Sequence, residues 1–282
     1  MANLRGRRVA ITGGAQGIGR AIGEALLAAG ATVALGDVQE DAVKQTATEL
    51  GSAATGYRLD VTDPAGFETF LAMAAEDLGG LDVLVNNAGI MPIGPFLEES
   101  PDVTRRTLEI DVLGVMTGTR LAGARFAEQG SGHIVNIASV MGTLASPNAA
   151  TYCAAKYAVV GFSEALRQEW RGSGVHVSAI CPGFVRTELI AGMAAPGPLE
   201  RFLVVNPENV ASAVVSELAN GESRTVFVPK SVGLVARGTA VIPTRLVDTA
   251  FRLTGGTKVT SELDREKRAA YQAKVEGREA QG

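Results

Sequence analysis

An α/β architecture with a doubly wound parallel sheet of about seven strands is predicted by three observations. Apolar runs of strand length alternate with longer segments of helical period; the runs are nearly continuous in apolar residues; and no repeat or Pro/Ser-rich linker divides the first 230 residues. Strands apolar on both faces need cover on both faces. A helix after each strand supplies that cover and returns the chain to the same direction, so neighbouring strands pair in parallel.

The first strand is read from RRVAIT (7–12), and a helix over 18–29 follows it. TVALGD (32–37) precedes a helix over 41–50, TGYRLD (55–60) one over 64–78, and LDVLVNN (81–87) one long helix over 103–128. HIVNIAS (133–139) leads to a helix over 149–171, VHVSAIC (175–181) through a loop to one over 207–220, and RTVFV (224–228) closes the series. One domain over 1–230, with a substrate loop near 187–206, and a C-terminal helical extension over 231–282 are expected.

Composition removes several classes of function. With 26 Lys and Arg against 30 Asp and Glu, the net charge is −4, and no basic block provides a nucleic-acid footprint. Cys153 and Cys181 lack metal-ligand or disulfide-framework spacing, and His133 and His176 are equally isolated, so a reduced, cytoplasmic protein without structural metal is expected. The N-terminus has no signal-peptide apolar run, and the weakly polar stretch 226–244 is interrupted by Pro229, Lys230, Arg237 and Pro243, so no membrane-spanning helix is expected.

After the first strand comes Thr12-Gly13-Gly14-Ala15-Gln16-Gly17-Ile18-Gly19, and the next helix begins inside it. Gly13 allows a tight turn, Gly17 allows close backbone approach to a pyrophosphate, and Gly19 lets the helix sit close to the strand. Amides around Gln16 and Ile18 at the helix N-terminus face the anion. Eighteen residues beyond Gly19, the second strand ends at Asp37. A carboxylate there accepts both ribose hydroxyls and repels a 2′-phosphate, favouring NAD over NADP; a turn or N-cap aspartate is the alternative. Asp60 with Val61, closing the third strand, suits the adenine edge, or Asp60 caps the helix that starts at Pro64.

The fourth strand ends in Asn86-Asn87-Ala88-Gly89 and the fifth at Ser139; Tyr152 and Lys156 follow at i and i+4 on one helix face. A phenol titrating near pH 10 is a weak base, and an ammonium one turn away favours its phenolate. Ser139 can hold a substrate oxygen against Tyr152 while Lys156 reaches a nicotinamide ribose.

Together with Pro182-Gly183-Phe184-Val185-Arg186-Thr187, these motifs resemble the short-chain dehydrogenase/reductase family over roughly residues 7–230. The resemblance implies a Rossmann-type fold, with Tyr152 as general acid/base, Ser139 positioning the substrate oxygen, and Lys156 tuning Tyr152 and binding ribose. Asn87, Ala88, Gly89, Pro182, Gly183, Val185 and Thr187 would then border the cofactor. It also implies pairing into a homodimer or homotetramer through the two long helices. One position departs from the family: Asp111 stands where many members carry an Asn whose main-chain carbonyl helps hold a water near the lysine. A buried carboxylate there would alter the proton relay and pair with Lys156.

Segments leaving the C-terminal strand ends supply Ile90, Met91, Ile93, Phe96, Val140, Met141, Leu144, Leu189, Ile190, Met193, Phe202 and Leu203, with Arg186 and Arg201 as the nearby cations. This palette suits a lipophilic secondary alcohol or ketone. The C-terminal part resembles retinol and 17-beta-hydroxysteroid dehydrogenases. Its apolar stripe, Leu246, Val247, Ala250, Phe251 and Leu253, suits packing on the body, a subunit interface or peripheral membrane contact. An NAD-dependent oxidoreductase acting on a small molecule is the leading expectation, and a catalytically silent NAD-binding regulatory protein of the same fold the alternative. His133, Cys153 and Cys181 are read as structural.

Overall fold

A computed structural model describes residues 3–193, 204–239, 242, 243, 245, 246, 249, 260 and 264–276. Its core is a seven-stranded parallel sheet of β1 (Arg8–Thr12), β2 (Thr32–Asp37), β3 (Ala54–Arg58), β4 (Val83–Asn86), β5 (Gly132–Ile137), β6 (Val175–Pro182) and β9 (Thr225–Val228). The spatial order is β3-β2-β1-β4-β5-β6-β9. The order reverses between β1 and β4, and a crevice opens there at the carboxyl ends of the strands.

The pleat explains why both faces are covered. Val9, Ile11, Val33, Leu35, Val83 and Val85 point to one face, packed on Ile22 and Leu26 of α1 (Gly17–Ala28), Val43 of α2 (Glu40–Leu50), and Val210 and Val214 of α7 (Pro207–Asn220). Their strand neighbours Ala10, Ala34 and Leu84 point the other way, onto Phe67 and Phe70 of α3 (Pro64–Asp77) and Phe126 of α5 (Val115–Gln129). The 20-residue α6 (Ala150–Glu169) lies beside β6.

Three features differ from the sequence-based expectations. The single helix over 103–128 is α4 (Pro101–Leu108), a π-helical segment (Glu109–Gly114), then α5. The widened turn is the one that carries Asp111, and such turns concentrate at functional sites. A two-stranded parallel ribbon joins β7 (Phe184–Val185) to β8 (Val204–Val205); strands this short carry no periodic signal. The cap before Pro64 is Asp63, which accepts from the Ala65 amide at 3.1 Å, whereas Asp60 accepts from the Thr62 amide and hydroxyl at 2.9 and 2.7 Å.

In the extension, α8 (Lys230–Thr239) follows β9, and α9 (Arg265–Val275) lies near the end of the described chain. Of the expected apolar stripe, Leu246 is largely exposed, and Val247, Ala250, Phe251 and Leu253 lie outside the described residues. Arg201, Phe202 and Leu203 of the substrate loop lie outside them too. Among the described residues no helix is long and apolar enough to cross a membrane.

Candidate active site

The glycine-rich turn is shaped by contacts that side chains would not permit. Gly13 adopts φ +67°, and a Cβ there would meet the Ala88 backbone at 2.9 Å. At Gly19 a Cβ would lie 2.0 Å from the Gly13 carbonyl oxygen, so the close helix–strand packing expected of this position is enforced sterically. The turn is clipped to the end of β4: Thr12 Oγ1 accepts from the Asn87 and Ala88 amides at 3.0 Å, and Asn87 Nδ2 donates to the carbonyls of Thr12 and Gly13 at 2.9 and 3.0 Å. Helix α1 begins beside this clip with no side-chain cap and no acidic residue in its first turn. Its leading amides are thereby left for an anion.

Asp37 closes β2 in the same crevice. Its two carboxylate oxygens accept from the amides of Ala15 and Gln39, both at 3.1 Å, so the residue braces the turn as well as facing the crevice. The turn role weighed for it is thus present. Val38 and Gln39 follow, and neither brings a cation to neutralise a 2′-phosphate.

A cleft of about 900 Å³ joins these parts. Gly13, Gln16, Gly17, Ile18, Asp37, Asp60, Val61, Asn87, Ala88, Gly89, Asp111, Tyr152, Lys156 and Thr187 all line it. A second cavity of about 40 Å³ is lined by Ser139, Val140, Met141, Pro182, Gly183, Val185 and Leu189, and Tyr152 borders both. Gly19 lines neither; its place is under the turn. Met91, Ile93, Val140, Met141, Leu144, Leu189, Ile190 and Met193 form one apolar cluster with Tyr152. Phe96, expected in that group, is 59% exposed, and its short 3-10 turn holds it at the surface.

Ser139, Tyr152, Lys156 and Asp111 are all buried. Ser139 Oγ accepts from the Met141 amide at 3.1 Å, and its hydroxyl is a hydrogen-bond partner of Tyr152. Lys156 Nζ donates to the Ile137 carbonyl at 3.3 Å, lies 3.1 Å from Asp111 Oδ2, and sits 5.5 Å from the centre of the Tyr152 ring. The other Asp111 oxygen accepts from the Ile90 amide at 2.8 Å. Burial pushes the Asp111 carboxyl up from its ordinary range, while the Lys156 ammonium and the Ile90 amide pull it down. Burial also raises the Tyr152 phenol, the Asp111 carboxylate adds to the rise, and the Ser139 hydroxyl opposes it.

Sequence reasoning missed a buried amide chain beneath the site. Asn86 Nδ2 donates to Asn136 Oδ1 at 2.9 Å and to Thr119 Oγ1 at 3.2 Å, and Asn136 Nδ2 donates to Ser163 Oγ at 2.9 Å. It ties the ends of β4 and β5 to α5 and α6, which carries Tyr152 and Lys156. Paired asparagines at equivalent strand positions were the available signal. Arg268 and Tyr271 of α9, which bond the loops after β4 and β6, lie in a part of the C-terminal extension for which no contact with the site was expected.

The sequence matches the short chain dehydrogenase family over residues 7–196. The chain belongs to that family. It is 38% identical over 219 residues to cis-4-hydroxycyclohexanecarboxylate dehydrogenase of Sinomonas cyclohexanicum, covering 74% of this chain and 87% of that protein. Over 198 residues it is 37% identical to 3beta-hydroxysteroid dehydrogenase 2 of Eggerthella lenta, covering 68% of this chain and 76% of that one. It is 34% identical over 262 residues to the probable oxidoreductase EphD of Mycobacterium tuberculosis, covering 86% of this chain but only 44% of EphD, so it spans less than half of that relative's length. Among solved structures, the NADH complex of 3-ketoacyl-(acyl-carrier-protein) reductase from Brucella melitensis superposes with a TM-score of 0.73 at 26% identity, covering 80% of this chain and 98% of that one. These relatives are varied oxidoreductases, and they do not bear out the narrower retinol or 17-beta-hydroxysteroid resemblance of the C-terminal part.

Proposed function

We propose that the chain is an NAD-dependent oxidoreductase that moves a hydride between nicotinamide and a lipophilic secondary alcohol or its ketone. The observation that carries this reading is the position of Tyr152, which borders both the large cleft and the small apolar cavity, with Ser139 on one side and Lys156 on the other. The uncapped start of α1, the glycine turn and Asp37 fit a dinucleotide. When bound, the nicotinamide ring supplies the hydride chemistry that no side chain offers.

The chain's own residues handle the proton. Ser139, whose hydroxyl faces Tyr152, donates to the substrate oxygen when substrate enters and holds it against Tyr152. Tyr152 takes the alcohol proton in the oxidative direction and returns it in the reductive one. Lys156, fixed by Ile137 and Asp111, stabilises the phenolate and has a hydrogen left for a ribose hydroxyl. The apolar cluster excludes water, which strengthens each of these interactions.

Asp37, with no cation at the two positions that follow it, favours NAD, and the NADH in the Brucella reductase complex is in keeping with that. Relatives named for a cyclohexane ring and a steroid are in keeping with a lipophilic substrate. Association into a homodimer or homotetramer through α4–α5 and α6 belongs to the same proposal, supported by Leu108, Leu113 and Tyr157 exposed along those segments. A cytoplasmic location is part of it as well.

Calorimetric titration with NAD(H) and NADP(H), then an absorbance assay on secondary alcohols, tests the reading. NAD preference and turnover abolished in Tyr152→Phe are expected. Tight NAD binding without turnover of any alcohol or ketone favours the second reading, a silent NAD-binding regulator. One observation supports that reading: the Lys156 ammonium is already engaged by a buried carboxylate.

A further inference from the structure

The C-terminal segment crosses the substrate side of the sheet and is fastened to all three loops there. Thr260 is fully buried; its hydroxyl meets Ser146 Oγ at 3.0 Å and its carbonyl accepts from Asn148 Nδ2 at 3.2 Å. The Asp264 amide donates to the Gly192 carbonyl at 2.7 Å. Arg268, 3% exposed, donates to the carbonyls of Leu189 and Ala191 at 3.1 Å and of Met91 at 2.7 Å. The loops after β4, β5 and β6 are thus strapped together around the apolar cavity.

One turn beyond Arg268, Tyr271 reaches the wall of the cleft that Asp111, Tyr152 and Lys156 also line. The Arg268 guanidinium lies 4.9 Å over its ring. Its hydroxyl oxygen accepts the Met91 amide at 2.8 Å, and among the described residues its hydroxyl hydrogen has no acceptor. Burial raises the phenol above its ordinary range, so it stays a donor at neutral pH. A phenol whose oxygen is fixed by the Met91 amide, with no acceptor for its hydrogen among the described residues, on the cleft wall that Tyr152 also lines, is built to meet an acceptor on a ligand.

We propose that Tyr271 is a specificity-determining residue that donates its hydroxyl to a second oxygen on the substrate, away from the reacting carbon, and that Arg268 is the positioning residue that holds it there. This rests on the oxidoreductase reading above. The favoured substrate class is then a secondary alcohol carrying a further hydroxyl, carbonyl or carboxylate. A site that hydrogen-bonds such a group discriminates strongly against the analogue lacking it.

The test uses the full chain with its cofactor and a matched pair, cyclohexanol and cis-1,4-cyclohexanediol. The wild-type protein should favour the diol in kcat/KM by about tenfold or more. Tyr271→Phe keeps the ring beneath Arg268 and should bring that ratio to within about twofold of unity. Arg268→Gln should reproduce the lost discrimination, chiefly through a higher KM for the diol. A ratio that is the same in wild type and Tyr271→Phe overturns the proposal and leaves the oxidoreductase reading intact. If wild type turns over neither compound, that reading fails for this pair, and binding of both compounds to the NADH complex by saturation-transfer NMR decides instead. A diol preference that vanishes in Tyr271→Phe upholds the role of Tyr271; no preference, or one that persists, overturns it.

Discussion

The Asp111 carboxylate and the Lys156 ammonium face each other at 3.1 Å, and both are buried. The pair exists because the helix before β5 widens into a π turn at Glu109–Gly114 and directs Asp111 inward. Gly89 completes the fit, since a Cβ there would lie 3.2 Å from Asp111 Oδ2 and 3.4 Å from Lys156 Nζ. The carboxylate that anchors the lysine is also a charge that opposes ionisation of Tyr152.

Asp111→Asn removes that charge while keeping the side-chain shape. Tyr152 then loses its proton more easily, so the acidic limb of the pH–rate profile for alcohol oxidation should move down by about one pH unit. An unchanged profile would show that the side chain has no part in the relay. The variant should also lose about 3 kcal/mol of stability, because a buried ammonium is left without its counter-charge.

At Asp37, the proposed cofactor choice and the observed turn geometry depend on one residue. Asp37→Ala removes the acceptor for the Ala15 amide and the charge opposing a 2′-phosphate. NAD affinity should fall at least about tenfold, roughly 1.4 kcal/mol, while NADP affinity falls less or rises. Calorimetry with both cofactors measures the two changes; equal losses would remove the charge argument and leave only bracing.

Gly19→Ala places a methyl 2.0 Å from the Gly13 carbonyl, a contact that backbone must relieve. The thermal midpoint should fall, with at least about 2 kcal/mol of stability lost, and NAD binding should weaken together with it. A stable variant with wild-type NAD affinity would contradict the close-packing account of this glycine.

His133, at the end of the sheet away from the crevice, is held down to about 3 by burial, with His176 and Arg7 adding to the shift. Its Nε2 meets Ser178 Oγ at 2.9 Å, and Ser178 in turn donates to Glu217 at 3.1 Å. The folded state therefore keeps the ring neutral while the unfolded chain protonates it near pH 6.5. More protons bind the unfolded state below that pH, so stability should fall from pH 6.5 toward 3, by up to about 1.4 kcal/mol per unit. Denaturant titrations between pH 4.5 and 7 should show a shallower slope for His133→Asn than for wild type; parallel slopes would assign the pH dependence to carboxylates alone.

The strand and helix series was legible because each element carries its own signal. Runs such as TVALGD, which coincides with β2, and the helix over 207–220, which coincides with α7, have local periodicity and caps that no distant contact overrides. The motifs at Gly13–Gly19 and at Tyr152 and Lys156 were legible for the same reason, since their spacing along one turn or one helix fixes their relative placement. Asp111 stood out as an unusual residue type, but not as a member of a π turn, because a single extra residue in a helix leaves the apolar pattern almost intact.

What sequence alone determined is therefore the sheet, its covering helices and the local constellations at the strand ends. Tertiary structure decided which distant residues those constellations meet. The 3.1 Å ion pair of Asp111 with Lys156, the Asn86–Asn136–Ser163 chain under the site, and the return of Arg268 and Tyr271 across loops some 80 to 180 residues earlier all join segments with no shared period. Short-range propensity acts over a turn or two, whereas burial and hydrogen-bond satisfaction act between whatever surfaces the fold brings together.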